Sequence, residues 1–186
     1  MPLLPQPLLA QHGASTTQVS LDQLVEQAHT IVRGHVVSAV PQPHPQFSNL
    51  QTVVVTIKVE RVLKGSAGPN FVFRQFVWDV RDLPTLAGYN KSDELLLLLN
   101  PVSEYGLTSP VGLEQGRFRI LRDSKGNATA LNGRGNIGLF DQVSSRLAER
   151  GVVPSRQAAA LLTQPRGPVP LQALEDLVQT LAGGAR

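Results

Sequence analysis

The sequence of 186 residues contains no cysteine. That excludes disulfides, thiolate nucleophiles and cysteine-held zinc or iron–sulfur centres. Charge is also scarce: Asp, Glu, Lys and Arg make up 17%, against about 25% in ordinary domains. The 17 basic and 14 acidic residues leave a formal net charge of +3. No Lys/Arg run concentrates that charge, so composition by itself demands neither a polyanion nor an anionic membrane. No apolar run exceeds five residues, as in Leu95–Leu99, whereas a membrane-spanning helix needs ~20.

What is present is turn chemistry and a moderate core. Glycine and proline number 16 and 14, and hydrophobic residues reach 41%. This is a composition for a strand-rich fold with many turns rather than a helical bundle. Residues 1–19 are apolar and proline-broken, and no Lys or Arg precedes Arg33. They lack the basic start and unbroken apolar stretch of a signal peptide, and are read as a flexible N-terminus or the remnant of such a signal.

Ser20 and Gln23 have capping-box spacing, and Leu21, Leu24, Val25 and Ala28 then recur at helical intervals. Residues 21–28 are therefore predicted to be a short helix. Ile31–Val40 is β-branched, with Gly34 as a bulge or close-approach point, and Pro41, Pro43 and Pro45 are expected to force a loop. Val53, Val55, Ile57 and Val59 alternate with Thr56, Lys58 and Glu60, a half-buried strand whose phase slips at Arg61–Leu63. Phe71–Val80 is an aromatic-rich strand, and Glu94–Leu99 suits a strand buried on both faces. Gly116–Asp123 and Ala128–Leu131 form a hairpin across Asp123–Asn127.

The domain is expected to span residues 20–140, followed by a helical C-terminal extension over 141–186. In that extension, Asp141–Arg150 reads as a helix capped by Asp141, and 151–170 as a Pro/Ala/Gly linker. Leu171, Leu174, Leu177, Val178 and Leu181 form one face of a final helix. That helix docks on its own domain, on a partner or on a second copy.

Three stretches taken together resemble a known family. They are Ala28-His29-Thr30-Ile31-Val32-Arg33-Gly34-His35-Val36-Val37-Ser38, the long strand Thr52–Leu63 closing on Lys64-Gly65, and Ser92-Asp93-Glu94 leading into Leu95–Leu98. The pattern is similar to the OB-fold domain shared by tissue inhibitors of metalloproteinases and netrin C-terminal modules, and to bacterial exported proteins of that type. The resemblance implies a mainly β, OB-like five-stranded Greek-key barrel with an N-terminal helix, and an exported protein. The inhibitors of that family act through an N-terminal cysteine. This chain has none, so no functional residue is carried over.

Gly133-Arg134-Gly135-Asn136-Ile137-Gly138 formally fits a dinucleotide fingerprint, but the preceding segment Asn127–Leu131 is short and weak, no parallel strand follows, and no acidic residue lies between Glu149 and Glu175. It reads as a glycine-rich loop. His12, His29, His35 and His44 lack the i, i+4 spacing of a helical metal pair, and the proline-flanked His44 reads as a solvated loop residue. No G-x-S-x-G elbow or telling carboxylate pair occurs, and Asp93 and Glu114 are the loop acids nearest to a catalytic reading. Phe71, Phe73, Phe76 and Trp78 beside Arg74 match a stacking platform for single strands, although four aromatics on one strand of a small barrel are more often core.

The expectation is a non-enzymatic protein-interaction module without cofactor or metal. Its contacts would run through the 81–93 and 100–115 loops or the last helix, with Tyr89, Tyr105, Leu107, Leu174, Leu177 and Leu181 as contact residues. A single-strand nucleic-acid binder is the alternative, and an unrecognised hydrolase the third reading.

Overall fold

The computed structural model describes residues 17–83 and 85–183, so the expected signal remnant over 1–15 lies outside the described residues. The chain is mainly β. Seven strands, β1 (Thr30–Pro43), β2 (Gln51–Lys64), β3 (Asn70–Phe76), β4 (Glu94–Leu99), β5 (Arg117–Arg122), β6 (Ala128–Asn132) and β7 (Val169–Pro170), form one antiparallel sheet in the order β3-β2-β1-β4-β5-β6-β7. Four helices accompany it: α1 (Leu21–Gln27), α2 (Val143–Glu149), α3 (Arg156–Leu161) and α4 (Leu171–Gly183). β4 returns to lie beside β1, so β3-β2-β1-β4 has Greek-key order. The sheet has seven strands where five were expected, with β3 and β7 at its ends.

Local chemistry accounts for most boundaries. At the start of α1 the Ser20 amide donates to Gln23 Oε1 at 3.2 Å, a capping-box contact. The phase slip in β2 is real. Leu63 and Glu60 on β2, and Val37 on β1, are skipped in the β1–β2 register, making bulges that coil the hairpin. Gly34 sits where a Cβ would come within 2.1 Å of the Lys58 carbonyl oxygen, so only glycine permits this approach.

β1 runs through Pro41 to Pro43 where a loop was expected, and the register explains it. His44 N–H donates to the Leu50 carbonyl, so Gln42↔Thr52 is a hydrogen-bonded pair and Pro41 and Pro43 turn their nitrogens away from β2. β4 pairs with β1 only from Thr30 to His35, so no ladder bond is lost at either proline. The 151–170 linker also departs from expectation. It holds α3, capped by the Ser155 hydroxyl accepting from Ala158 N–H, and the two residues of β7.

The two faces of the sheet bury two cores, and β4 alternates between them. Leu96 and Leu98 join Ile31, Phe118, Ile120 and the apolar faces of all four helices. Leu95, Leu97 and Leu99 join Val32, Val53, Val55, Ile57, Phe73 and Tyr89. Each buried leucine contributes roughly 1.5–3 kcal/mol. β4 therefore ties together the helical layer and the face behind the 77–89 segment.

Candidate functional site

A cleft of about 1020 Å³ opens where the end of β3 faces the approach to β5. One wall is Gln75–Asp79, the other is Pro110, Leu113, Glu114 and Arg117, and Arg81, Asp82, Thr85 and Ala87–Tyr89 line the space between. Both loops expected to carry contacts thus meet in one place.

The cleft is positioned from β3 outward. Val77 N–H donates to the Gln51 carbonyl at 3.0 Å, the last tie to β2, and the chain then bends. Trp78 emerges from the bend 70% exposed, its ring edge-on to Phe76 with centroids 5.1 Å apart. Asp79 accepts from the Arg81 amide at 2.9 Å and pairs with the same residue's guanidinium, fixing the turn. Farther along, Leu86, Ala87 and Gly88 take φ of 54°, 53° and 82°. Left-handed backbone costs a non-glycine residue about 1–2 kcal/mol, and such conformations concentrate at binding sites. The φ of 82° at Gly88 favours glycine, and a Cβ there would displace the Arg117 guanidinium.

Below the cleft, Tyr89 and Arg117 lock the two walls together. Tyr89 is fully buried, and its hydroxyl donates to Gln75 Oε1 at 2.7 Å. Arg117 lies 5.0 Å from the Tyr89 ring centroid, donates to the Ala87 carbonyl at 2.6 Å and pairs with Glu114. Burial pushes the Tyr89 phenol well above its ordinary range despite the neighbouring guanidinium. Three carboxylates (Asp79, Asp82, Glu114) and two guanidiniums (Arg81, Arg117) line the cleft, and both guanidiniums are paired with carboxylates.

The expected contact residues separate. Tyr89 is not on the surface; it supports the cleft from inside. Leu174, Leu177 and Leu181 are also inside, packed in the core shared by sheet and helices, so the last helix docks on its own sheet. Tyr105 is 49% exposed and Leu107 half-buried, in a turn closed by Ser103 N–H to the Leu107 carbonyl and Leu107 N–H to Ser103 Oγ. His44 corrects its reading as a solvated residue. It is 4% exposed, stacked on Phe47 and bonded through Nε2 to the Tyr105 carbonyl at 2.8 Å. Its Nδ1 accepts from the Gln46 and Phe47 amides, which places the proton on Nε2.

Trp78 was read with the strand core; the structure places it in solvent. The hint lay in Asp79, Arg81 and Asp82, which end the apolar alternation directly after it. The glycine-rich loop is held from within. Asn136, fully buried, accepts from Asn132 N–H and donates to the Ala130 and Gly167 carbonyls, while Asn132 Oδ1 accepts from the Arg134 and Asn136 amides. The amides of Asn132, Arg134 and Asn136 are thereby engaged by side chains of the loop itself, and no helix opens at the loop's end, so the phosphate cradle of a dinucleotide site is lacking.

A second polar cluster sits where α4 crosses β1 and β2. Glu175, 3% exposed, pairs with Arg33 Nε at 2.9 Å and with Arg61. Glu94 takes Arg122 through two bonds of 2.8 Å and Arg33 Nη1 at 2.9 Å. His35 joins through Glu60 at 3.0 Å. Cations and carboxylates balance here, and each Glu is engaged by guanidiniums, so the cluster is a clasp rather than an acid–base pair. No group of three His, Asp or Glu able to hold a metal occurs among the described residues. In the cleft, the Thr85 hydroxyl donates to the Asp82 carbonyl and the Tyr89 hydroxyl to Gln75, so neither is set against a base. No helix of the described residues is long and apolar enough to cross a membrane. Compared with known protein families, with curated proteins and with solved structures, the chain matches none of them.

Proposed function

We propose that this chain is a non-enzymatic protein-interaction module built on a partly open Greek-key barrel, and that the cleft between residues 77–89 and 110–117 is its binding site. The observation that carries the reading is Trp78, 70% exposed at the cleft wall with its ring edge-on to Phe76. Tryptophan offers the largest contact area for little entropy and is the residue type most enriched among dominant interface contacts. The Tyr89–Gln75 and Arg117–Ala87 bonds hold the walls in place, so the binding surface is formed before the partner arrives. Supporting the barrel are the Greek-key order and the approach of the 108–117 segment to the end of β3.

The charge of the cleft separates this reading from a single-strand nucleic-acid binder. Backbone phosphates need free cations beside stacking rings, whereas the two cleft guanidiniums are paired and carboxylates exceed them by one. The family resemblance adds export to the proposal, and fractionation of the native host tests that part.

The deciding experiment compares the full chain and its Trp78→Ala variant, each immobilised against native host extract and against single-stranded oligonucleotides. A discrete protein retained by the wild type, resistant to nuclease and lost with Trp78→Ala, supports the module. Salt-sensitive oligonucleotide binding with no retained protein overturns it in favour of the nucleic-acid reading.

A further inference from the structure

We infer that the partner enters the cleft as an extended segment that pairs with the outer edge of β3 at Phe76 and carries a basic side chain toward Trp78 and Asp82. The inference rests on the cleft being a protein-binding site and specifies what that site recognises.

Strand register decides which backbone groups of β3 face outward. Val59 N–H donates to the Pro69 carbonyl and Val77 N–H to the Gln51 carbonyl, which fixes Ile57↔Phe71, Val55↔Phe73 and Val53↔Gln75 as the hydrogen-bonded pairs. The N–H and C=O groups of Val72, Arg74 and Phe76 therefore point away from the sheet. Arg74 confirms the parity, because its carbonyl accepts from Thr108 N–H at 2.9 Å. Phe76 lies beyond that crossing, inside the cleft, with no hydrogen-bond partner for its backbone among the described residues. An unpaired edge inside a groove accepts an extended chain by strand addition. The opposite end of the sheet is no equivalent: β7 has two residues, one of them proline.

Charge complementarity selects the side chain. The cleft's carboxylates exceed its guanidiniums by one, and Asp82, which feels the charge of Arg81, makes no contact ion pair among the described residues. The exposed Trp78 face adds the quadrupole that favours a cation over an acidic or phosphorylated segment. Two copies of β3 are poorly matched to each other by comparison, since the Thr108 crossing blocks the centre of the strand.

The test has two steps on the full chain. Random twelve-residue peptides are selected by display against the wild type, with counter-selection on Trp78→Ala, and a selected peptide is then titrated while backbone amide exchange is followed residue by residue. Expected are sequences with a Lys or Arg among β-branched residues, slowed exchange of the Phe76 amide on binding, and a loss of about tenfold or more when the basic residue becomes Glu, since like-charge juxtaposition is strongly unfavourable. Enrichment of acidic sequences, or binding that leaves the Phe76 amide exchanging as in the free protein, overturns this inference and leaves the interaction module standing. Failure of any peptide to distinguish the wild type from Trp78→Ala removes the binding site itself and overturns both.

Discussion

The backbone N–H of Thr108 donates to the carbonyl of Arg74 over 2.9 Å, joining the 100–110 loop to the outer edge of β3. On one side of this crossing the edge is open at Val72, 57% exposed; on the other it runs into the cleft at Phe76. That cleft is the candidate site.

Glu175 is the anchor of α4. It is 3% exposed and neutralises Arg33, whose side chain is 18% exposed, as well as the more exposed Arg61. Its Oε1 and Arg33 Nε are 2.9 Å apart but not aligned as a hydrogen bond, so the attraction is mainly ionic. Glu175→Ala removes the carboxylate facing Arg33 Nε and Arg61 while Arg33 keeps Glu94, and is expected to destabilise the fold by about 2 kcal/mol. Denaturant unfolding checks this, and an unchanged midpoint contradicts the clasp.

Glu94 makes stability depend on acid. Burial pushes its carboxyl up, but bonds and charge from Arg122, then Arg33, outweigh this and hold it below the ordinary glutamate range. A group depressed on folding stabilises above its unfolded pKa and loses that contribution as pH falls through the folded value. Stability is thus expected to drop below about pH 4.3, with a shallower drop in Glu94→Gln. Melting curves between neutral and acid pH, for both proteins, read the difference.

Asn136 holds the glycine-rich loop at a φ of 57°, fully buried and bonded to Asn132, Ala130 and Gly167. Asn136→Ala leaves those partners unsatisfied and meets the left-handed backbone penalty, for an expected loss of about 3 kcal/mol. Thermal unfolding measures it. A loop serving only as a phosphate cradle would tolerate the change in the free protein.

Periodicity was readable where one force dominated. The alternation from Val53 to Val59, the five leucines of β4 and the Ser20–Gln23 cap each follow from burial or capping alone, and each is found in place. What escaped depends on neighbours distant in sequence. Pro41 and Pro43 sit in a strand because β4 stops at His35 and leaves their side of β1 free. His44 is buried because Phe47 and Tyr105 close over it. The two loops of the site were legible as long polar connections, but that they face each other follows from β4 returning beside β1. Tyr89 and Trp78 traded places: Tyr89 packs against Phe73 in the second core, while Trp78 follows the end of β3 into solvent.

Trp78 should be nearly silent in stability. At 70% exposure its truncation removes little core, so Trp78→Ala is expected to shift unfolding by no more than about 0.5 kcal/mol. Chemical denaturation followed by circular dichroism checks this. A larger loss would make the residue part of the scaffold rather than of a binding surface.

Whether the cleft binds protein is read by placing a photo-crosslinking phenylalanine analogue at position 78 in the full chain, expressed in its native host, with a matched substitution at Val153. Val153 is 89% exposed and lies outside the cleft, so it reports random encounters. One discrete protein adduct is expected from position 78 and none of that size from position 153. No adduct from position 78, or the same adducts from both positions, would contradict the cleft as a protein-binding site.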